Sequence, residues 1–239
     1  MAHDGEGAKL ASCRSHAILD NLRASVNGGT NKGPLKETHM QELDQVAERH
    51  LREEQSPTLA ICGRHLPLLY RIASILVSPP HLFALLVIDL DGRFDATRLS
   101  CSDTDARHIY VHRPPRPSSY GCSAAEDAAD EGGWDSGTDA GQLRSMIAEA
   151  GSFMLYGAGA APSASRRWWG TAVVGGPGVG DIAAGWKGWL RVYREPVQAF
   201  ALGMSAEEAL ERRSARQEAV DAAGWAAESR WGGFVFKDS

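Results

Sequence analysis

Long apolar runs are missing from this 239-residue chain: the two best stretches, Leu66 to Val77 and Leu82 to Ile88, fall well short of the roughly 18 to 20 residues that span a bilayer. Met1 to Lys9 also lacks the basic segment and apolar core of a secretory leader, so the expected setting is the reducing interior of the cell. Cysteine is scarce. Cys13, Cys62, Cys101 and Cys122 lie far apart without a C-x-x-C pair, which argues against a zinc module and against a disulfide framework. Nor is there an excess of basic residues. A formal charge of −5 and a pI near 5.9 leave no global positive field, so contact with nucleic acid would have to come from a local patch or through a partner. The H-E-x-x-H pair of metalloproteases and the G-x-S-x-G elbow of hydrolases are absent as well.

What is present is ordinary globular usage, 43% hydrophobic and 23% charged, which at this length fills one core rather than two. Residues 1–33 read as a flexible leader with a short helix at Ser15 to Ala24, and residues 34–239 as one α/β domain. Glu37 to Glu54 carries Met40, Leu43, Val46, Ala47 and Leu51 at helical spacing. Thr58 to Cys62 reads as a strand ending at Gly63, Leu66 to Val77 as a helix stopped by Pro79-Pro80, and Leu82 to Ile88 as a strand covered on both faces. Strand, turn, helix and strand make a βαβ unit.

His108 to His112 predicts a third strand. Ser118 to Gly141 is rich in Ser, Gly, Ala and acids, and is expected to be a disordered insertion. Gln142 to Tyr156 returns to helical spacing, Trp169 to Val174 reads as a buried strand, and Gly185 to Tyr193 as another. Ser205 with Glu208 three residues on is a capping-box pattern for a helix running to about Ala223, and Gly233 to Phe236 closes with an edge strand.

The most informative stretch is Ile88-Asp89-Leu90-Asp91, followed by Phe94 and then by Arg98-Leu99. This pattern resembles the second core strand of RecA-like recombinases, in which I-D-x-[ED] precedes a Phe and an Arg-Leu pair. Asp91 together with Asp95 after the Phe makes it resemble the X-ray-repair cross-complementing branch of eukaryotic recombinase paralogs more than the recombinases themselves. The resemblance covers about Leu59 to Arg113 and fades after Gln142. It implies a RecA-like core, a mostly parallel sheet with helices on both faces, and Asp91 in the place of the acid that orients the attacking water. Two aspartates at a strand tip also have a plainer role, because acids there meet solvent and cap the next turn.

Leu59 to Gly63 and Leu69 to Ala73 fall where the strand and helix around a phosphate loop belong, but the loop itself is missing. A P-loop needs G-x-x-x-x-G-K-[ST], so that successive amides cradle phosphate, lysine reaches the outer phosphates and the hydroxyl holds magnesium. The chain offers Gly63-Arg64-His65-Leu66-Pro67, a vestige in which Gly63 and Arg64 are the candidate phosphate contacts and His65 reads as a turn residue. If Ala172 to Val174 is the Walker B strand, Gly175 stands where its aspartate would be. Gly176, Gly178 and Gly180 miss the G-x-G-x-x-G spacing and read as a connection.

Arg166-Arg167 and Trp186-Lys187 with Trp189 and Arg191 combine cations and aromatics, the chemistry that holds single strands by phosphate attraction and base stacking. The plainer role for tryptophans is core packing. The resemblance implies a nuclear, non-catalytic recombinase paralog in double-strand-break repair by homologous recombination. It would need no cofactor, with residual ATP binding left open. Its partners would be other recombinase-paralog subunits and single-stranded or junction DNA, with no membrane. Two other classes stay open: an active ATPase with an unrecognised phosphate loop, and an α/β interaction protein unrelated to RecA.

Overall fold

The computed structural model describes residues 34–115, 140–157, 162–176, 178–197 and 203–237. The expected leader, its short helix and nearly all of the expected insertion lie outside them. Helix α1 (Gln41–Glu54) starts where Asp44 turns back to accept from the Thr38 and His39 amides at 2.8 and 3.0 Å. It ends at Gln55, whose left-handed φ of 55° lets its N–H close on the Leu51 carbonyl. Leu43, Val46, Ala47 and His50 form its buried face.

Strand β1 (Leu59–Gly63) leads into α2 (Leu66–Val77), which has Pro67 in its first turn, where a missing N–H costs nothing. Strand β2 (Phe83–Asp89) is buried from Ala84 onward. A 3-10 turn (Ala96–Arg98), the single-turn α3 (Asp103–Ala106) and β3 (Ile109–His112) follow. Beyond residue 139 come α4 (Ala140–Tyr156), β4 (Arg167–Val174), β5 (Ile182–Ala184) and β6 (Leu190–Arg194). The chain closes with α5 (Ala206–Glu211), α6 (Arg213–Ala222), β7 (Trp225–Ser229) and β8 (Gly232–Phe236).

The eight strands form one sheet in the order β3-β2-β4-β5-β1-β6-β7-β8, parallel up to β6 and antiparallel at β6/β7 and β7/β8. Because successive side chains point to opposite faces, each strand feeds two layers. Leu85, Val87, Ala172, Val174, Ile61 and Val192 pack with α1 and α2 in the main core. Leu86, Ile88 and Val173 pack on the other face against Leu143, Met146 and Ile147 of α4. The chain is thus an α/β protein with helices on both faces of a mostly parallel sheet.

Three expected elements differ. Gly185 to Trp189 is not strand: β5 ends at Ala184, and the chain then crosses over β1 to start β6 on its far side. Gly188 makes that crossing, since a Cβ there would lie 2.6 Å from the Ala60 carbonyl oxygen. The late helix breaks in two at Arg212. Ser205 caps α5 through the Glu208 amide at 3.1 Å, but the Glu208 carboxylate pairs with Arg212 at 2.8 Å instead of reaching back. Strand β7 was not foreseen, because Trp225 to Ser229 is short and its alternation weak. Ala140 and Gly141, expected in the insertion, begin α4.

Candidate functional site at the carboxyl edge of the sheet

Asp89, Val174, Ala184 and Ile61 occupy one row across β2, β4, β5 and β1. Parallel strands present their carboxyl ends at a single edge, so Gly63 and Asp91 both project two residues past that row. In open α/β sheets this edge is where ligands bind.

Asp89 is wholly buried and has a full set of donors. Its Oδ1 accepts from the Arg93 amide at 3.1 Å, and its Oδ2 from the Phe94 amide at 3.0 Å and Arg113 Nε at 3.1 Å. Arg113 Nη2 also donates to the Phe94 carbonyl at 2.5 Å. The acid and the arginine together pin the turn after β2. Asp95 caps the 3-10 turn through the Thr97 amide at 3.0 Å; its bonds to the Thr97 hydroxyl and amide hold its carboxyl below the usual range.

Asp91, the vestigial water-orienting candidate, stands half-buried against Gly175. Gly175 has φ +79°, and a Cβ built on it would sit 2.3 Å from Asp91 Oδ1. A second acid at position 175 has neither the backbone conformation nor the space.

Between β1 and α2 the turn is two residues long, Arg64 and His65. Gly63 pairs with Val192, the Arg64 amide donates to the Val192 carbonyl at 2.8 Å, and Pro67 has no amide to offer. The Arg64 side chain is exposed. His65, expected as a turn residue, is instead 6% exposed and fills the start of α2. Its Nδ1 lies 3.1 Å from the Gly63 carbonyl, an acceptor, so Nδ1 carries the proton. Nε2 is buried with no hydrogen-bond partner among the described residues. Burial lowers the His65 pKa, and Arg93 adds to the effect, against the Gly63 bond and Asp91. The ring is therefore neutral, and it occupies the turn where a phosphate cradle would need free amides.

The expected cationic strip is not assembled in one place. Arg166 is taken up by packing: it bonds Asp105 at 2.6 Å and the Val77 carbonyl, with both side chains of the ion pair about nine-tenths buried. Ser102 and Arg166 hold the Asp105 carboxyl below its usual range. Arg167 is exposed over the Phe83 ring at the amino end of β4, seven residues and roughly 20 Å before Val174. Trp189 donates to the Thr58 carbonyl at 3.1 Å, stacks on His50 at 4.2 Å and meets Trp231 edge-on. Its role is packing between α1 and the sheet.

Trp186, Lys187 and Arg191 remain. Trp186 is 76% exposed with Lys187 Nζ 4.1 Å from its ring centre, and exposed Arg191 pairs in register with Cys62, whose thiol donates to the Gly188 carbonyl. Trp186 and Lys187 thus share one neighbourhood on the crossing over β1, while Arg191 stands on β6 between Cys62 and Glu228.

Sequence reasoning missed Arg113, which stood at a strand end before a proline run, and His65. It also missed a half-buried network in which Ser163 Oγ lies 2.7 Å from His108 Nδ1 and 2.8 Å from the Tyr110 hydroxyl. His108 and His112 are four residues apart, but strand geometry draws them about 13 Å along the chain, too far for one metal ion. No helix among the described residues is long and apolar enough to cross a membrane. No protein-family model matches the chain, and neither a curated protein nor a solved structure matches it.

Proposed function

We propose that this chain is a RecA-like subunit without a phosphate loop, a non-catalytic recombinase paralog that acts through its surfaces in homologous-recombination repair in the nucleus. The observation that carries the reading is the passage from β1 to α2 through Arg64 and His65 alone, with one amide committed to Val192 and a neutral imidazole in the turn. A strand, tight turn and helix leading on to the Asp89, Asp91, Phe94, Arg98, Leu99 pattern keeps the RecA-like frame and omits the phosphate cradle. The sheet order supports it. In Rossmann and flavodoxin-like sheets the first two strands lie side by side, whereas β4 and β5 stand between β1 and β2 here. That separation excludes both of those arrangements.

On this reading the partner subunits supply nucleotide chemistry, and Trp186, Lys187 and Arg191 give a weak, salt-sensitive contact to single-stranded DNA. Asp91 and Arg64 are remnants rather than working groups. The deciding experiment is native-salt affinity purification of the full chain from its own cells, followed by a phosphate-release assay. Co-purification of recombinase-like subunits, with no phosphate release by the chain alone, is the expected result. Magnesium-dependent turnover abolished by Asp91→Ala would replace the proposal with an active ATPase, and reproducible capture without recombinase-like subunits would leave an unrelated interaction protein.

A further inference from the structure

Two imidazoles stack at the amino edge of the sheet. His39, in the lead-in to α1, and His81, in the loop between α2 and β2, lie face to face with ring centres 3.8 Å apart and planes 9° from parallel. Phe83, at the start of β2, lies against His39 at 5.7 Å and 14°, and Arg167 at the start of β4 stands 5.3 Å over the Phe83 ring. The stack therefore ties two loops to each other and to the first residues of two core strands. Both imidazoles are half-buried.

The backbone beneath the pair is strained. His39 has φ +61° and Leu82, next to His81, has φ +51°, both in the left-handed region that residues other than glycine rarely enter. Such positions persist only where the surrounding contacts hold them. At His39 those contacts are the bond from its amide to Asp44 Oδ2 at 3.0 Å and the ring stack itself. The residues just before it are fastened separately, Lys36 by Asp181 at 2.9 Å and the Glu37 carbonyl by the Trp169 indole N–H at 2.8 Å.

We infer that the His39–His81 stack is a pH-sensitive latch, closed while at least one ring is neutral and open when both are protonated. A neutral ring stacks on a neutral or a protonated one, whereas two imidazolium rings at 3.8 Å repel. Glu37 Oε2 lies 3.7 Å from His39 Nδ1, placed to balance a proton on that ring. A proton on His81 has no such counter-ion among the described residues.

The other charged groups around the pair do not supply one. Asp44 is committed to the Thr38 and His39 amides, Lys36 to Asp181, and Arg166, at the end of α2, to Asp105; Arg167, beyond Phe83, is a further cation. Burial, and after it the charge of His39, pushes the His81 pKa down. With the folded value lowered, the latch contributes in full above about pH 6.5 and is lost as the pH falls below that toward the lowered value. Opening is local, because α1 keeps its own buried face of Leu43, Val46 and Ala47. What comes loose is the point at which the chain enters the fold. The latch does not depend on the chain being a recombinase paralog.

The test is hydrogen exchange of the full chain at pH 7.5 and 5.0, with each rate divided by the intrinsic rate at that pH. The Thr38 and His39 amides report, since both bond to Asp44 when the latch is closed. Their protection should fall about ten-fold or more at pH 5.0 while that of β2 holds. His81→Phe keeps a ring in the stack and cannot charge, so it should abolish the fall. Should that variant unfold, His81→Gln, equally unable to charge, replaces it, with equal protection expected at both pH values. A histidine side-chain titration by NMR is the second arm. His39→Asn tolerates the left-handed backbone and removes the facing charge, and should raise the His81 midpoint by about one pH unit. Protection unchanged between the two pH values overturns the inference, as does an equal fall in a position-81 variant or a His81 midpoint that His39→Asn does not move.

Discussion

Asp89 and Arg113 join the carboxyl ends of β2 and β3 at 3.1 Å, the carboxylate wholly buried and the guanidinium half exposed. This asymmetry decides what each contributes. Removing the arginine leaves a buried charge still bonded to two amides, whereas removing the acid orphans both amides, the half-exposed guanidinium keeping the Phe94 carbonyl and solvent. Asp89→Ala is expected to cost about 3 kcal/mol and Arg113→Ala about 1 to 2 kcal/mol. Urea unfolding of the two variants checks the order, and an Arg113→Ala loss larger than that of Asp89→Ala contradicts it.

Arg166 sits at the other end of the sheet and ties the segment before β4 to α3 and to the end of α2. Arg166→Ala should destabilise the protein by about 2 to 4 kcal/mol, as expected for breaking a buried ion pair. Lys187→Ala should change stability by less than about 0.5 kcal/mol, because that exposed side chain lies over the equally exposed Trp186 ring. A DNA-binding comparison therefore belongs on Trp186, Lys187 and Arg191. Near-equal melting temperatures for the Arg166 and Lys187 variants would show that Arg166 does not fasten the fold.

On the proposed RecA-like reading Gly175 stands where a Walker B acid would be, yet placing an acid there should damage the protein. Gly175→Asp forces a side chain into a left-handed φ and sets its carboxylate against Asp91. A loss of about 2 kcal/mol or more is expected, partly recovered by adding Asp91→Ala. A double-mutant cycle by thermal unfolding reads the coupling, and additive effects would mean that the two side chains avoid each other.

Burial lowers the pKa of His50 and His65 below the ordinary 6.5, and His108 is lowered by burial and by Arg166. The unfolded chain then takes up protons before the folded one does. The stability these rings contribute is full above about pH 6.5 and is lost as the pH falls through 6.5 toward the lowered folded values. Each ring contributes at most about 1.4 kcal/mol per pH unit across that window. Unfolding free energies at pH 7.5 and 5.5 check the sign. His50→Phe keeps a ring between Trp189 and Trp231 and should flatten the dependence; an unchanged slope would remove His50 from the account.

The sequence by itself determined the helix over Leu66 to Val77 and, to within a residue at each end, the strand over Leu82 to Ile88, along with the capping hydroxyl of Ser205, because each rests on local chemistry. Apolar spacing, proline and a hydroxyl three residues before an amide act within one element. The absence of a phosphate cradle was equally legible, since a P-loop is a contiguous run of residues. Tertiary structure alone decided the rest. Whether Arg166 meets DNA or Asp105 depends on a partner 61 positions away. Whether Trp189 stacks on bases or on His50 depends on where α1 docks, and the stack of His39 on His81 depends on where the lead-in to α1 meets the loop before β2. Long-range pairing brings these groups together, and no local spacing encodes which of two equally suitable partners a charged or aromatic side chain will meet.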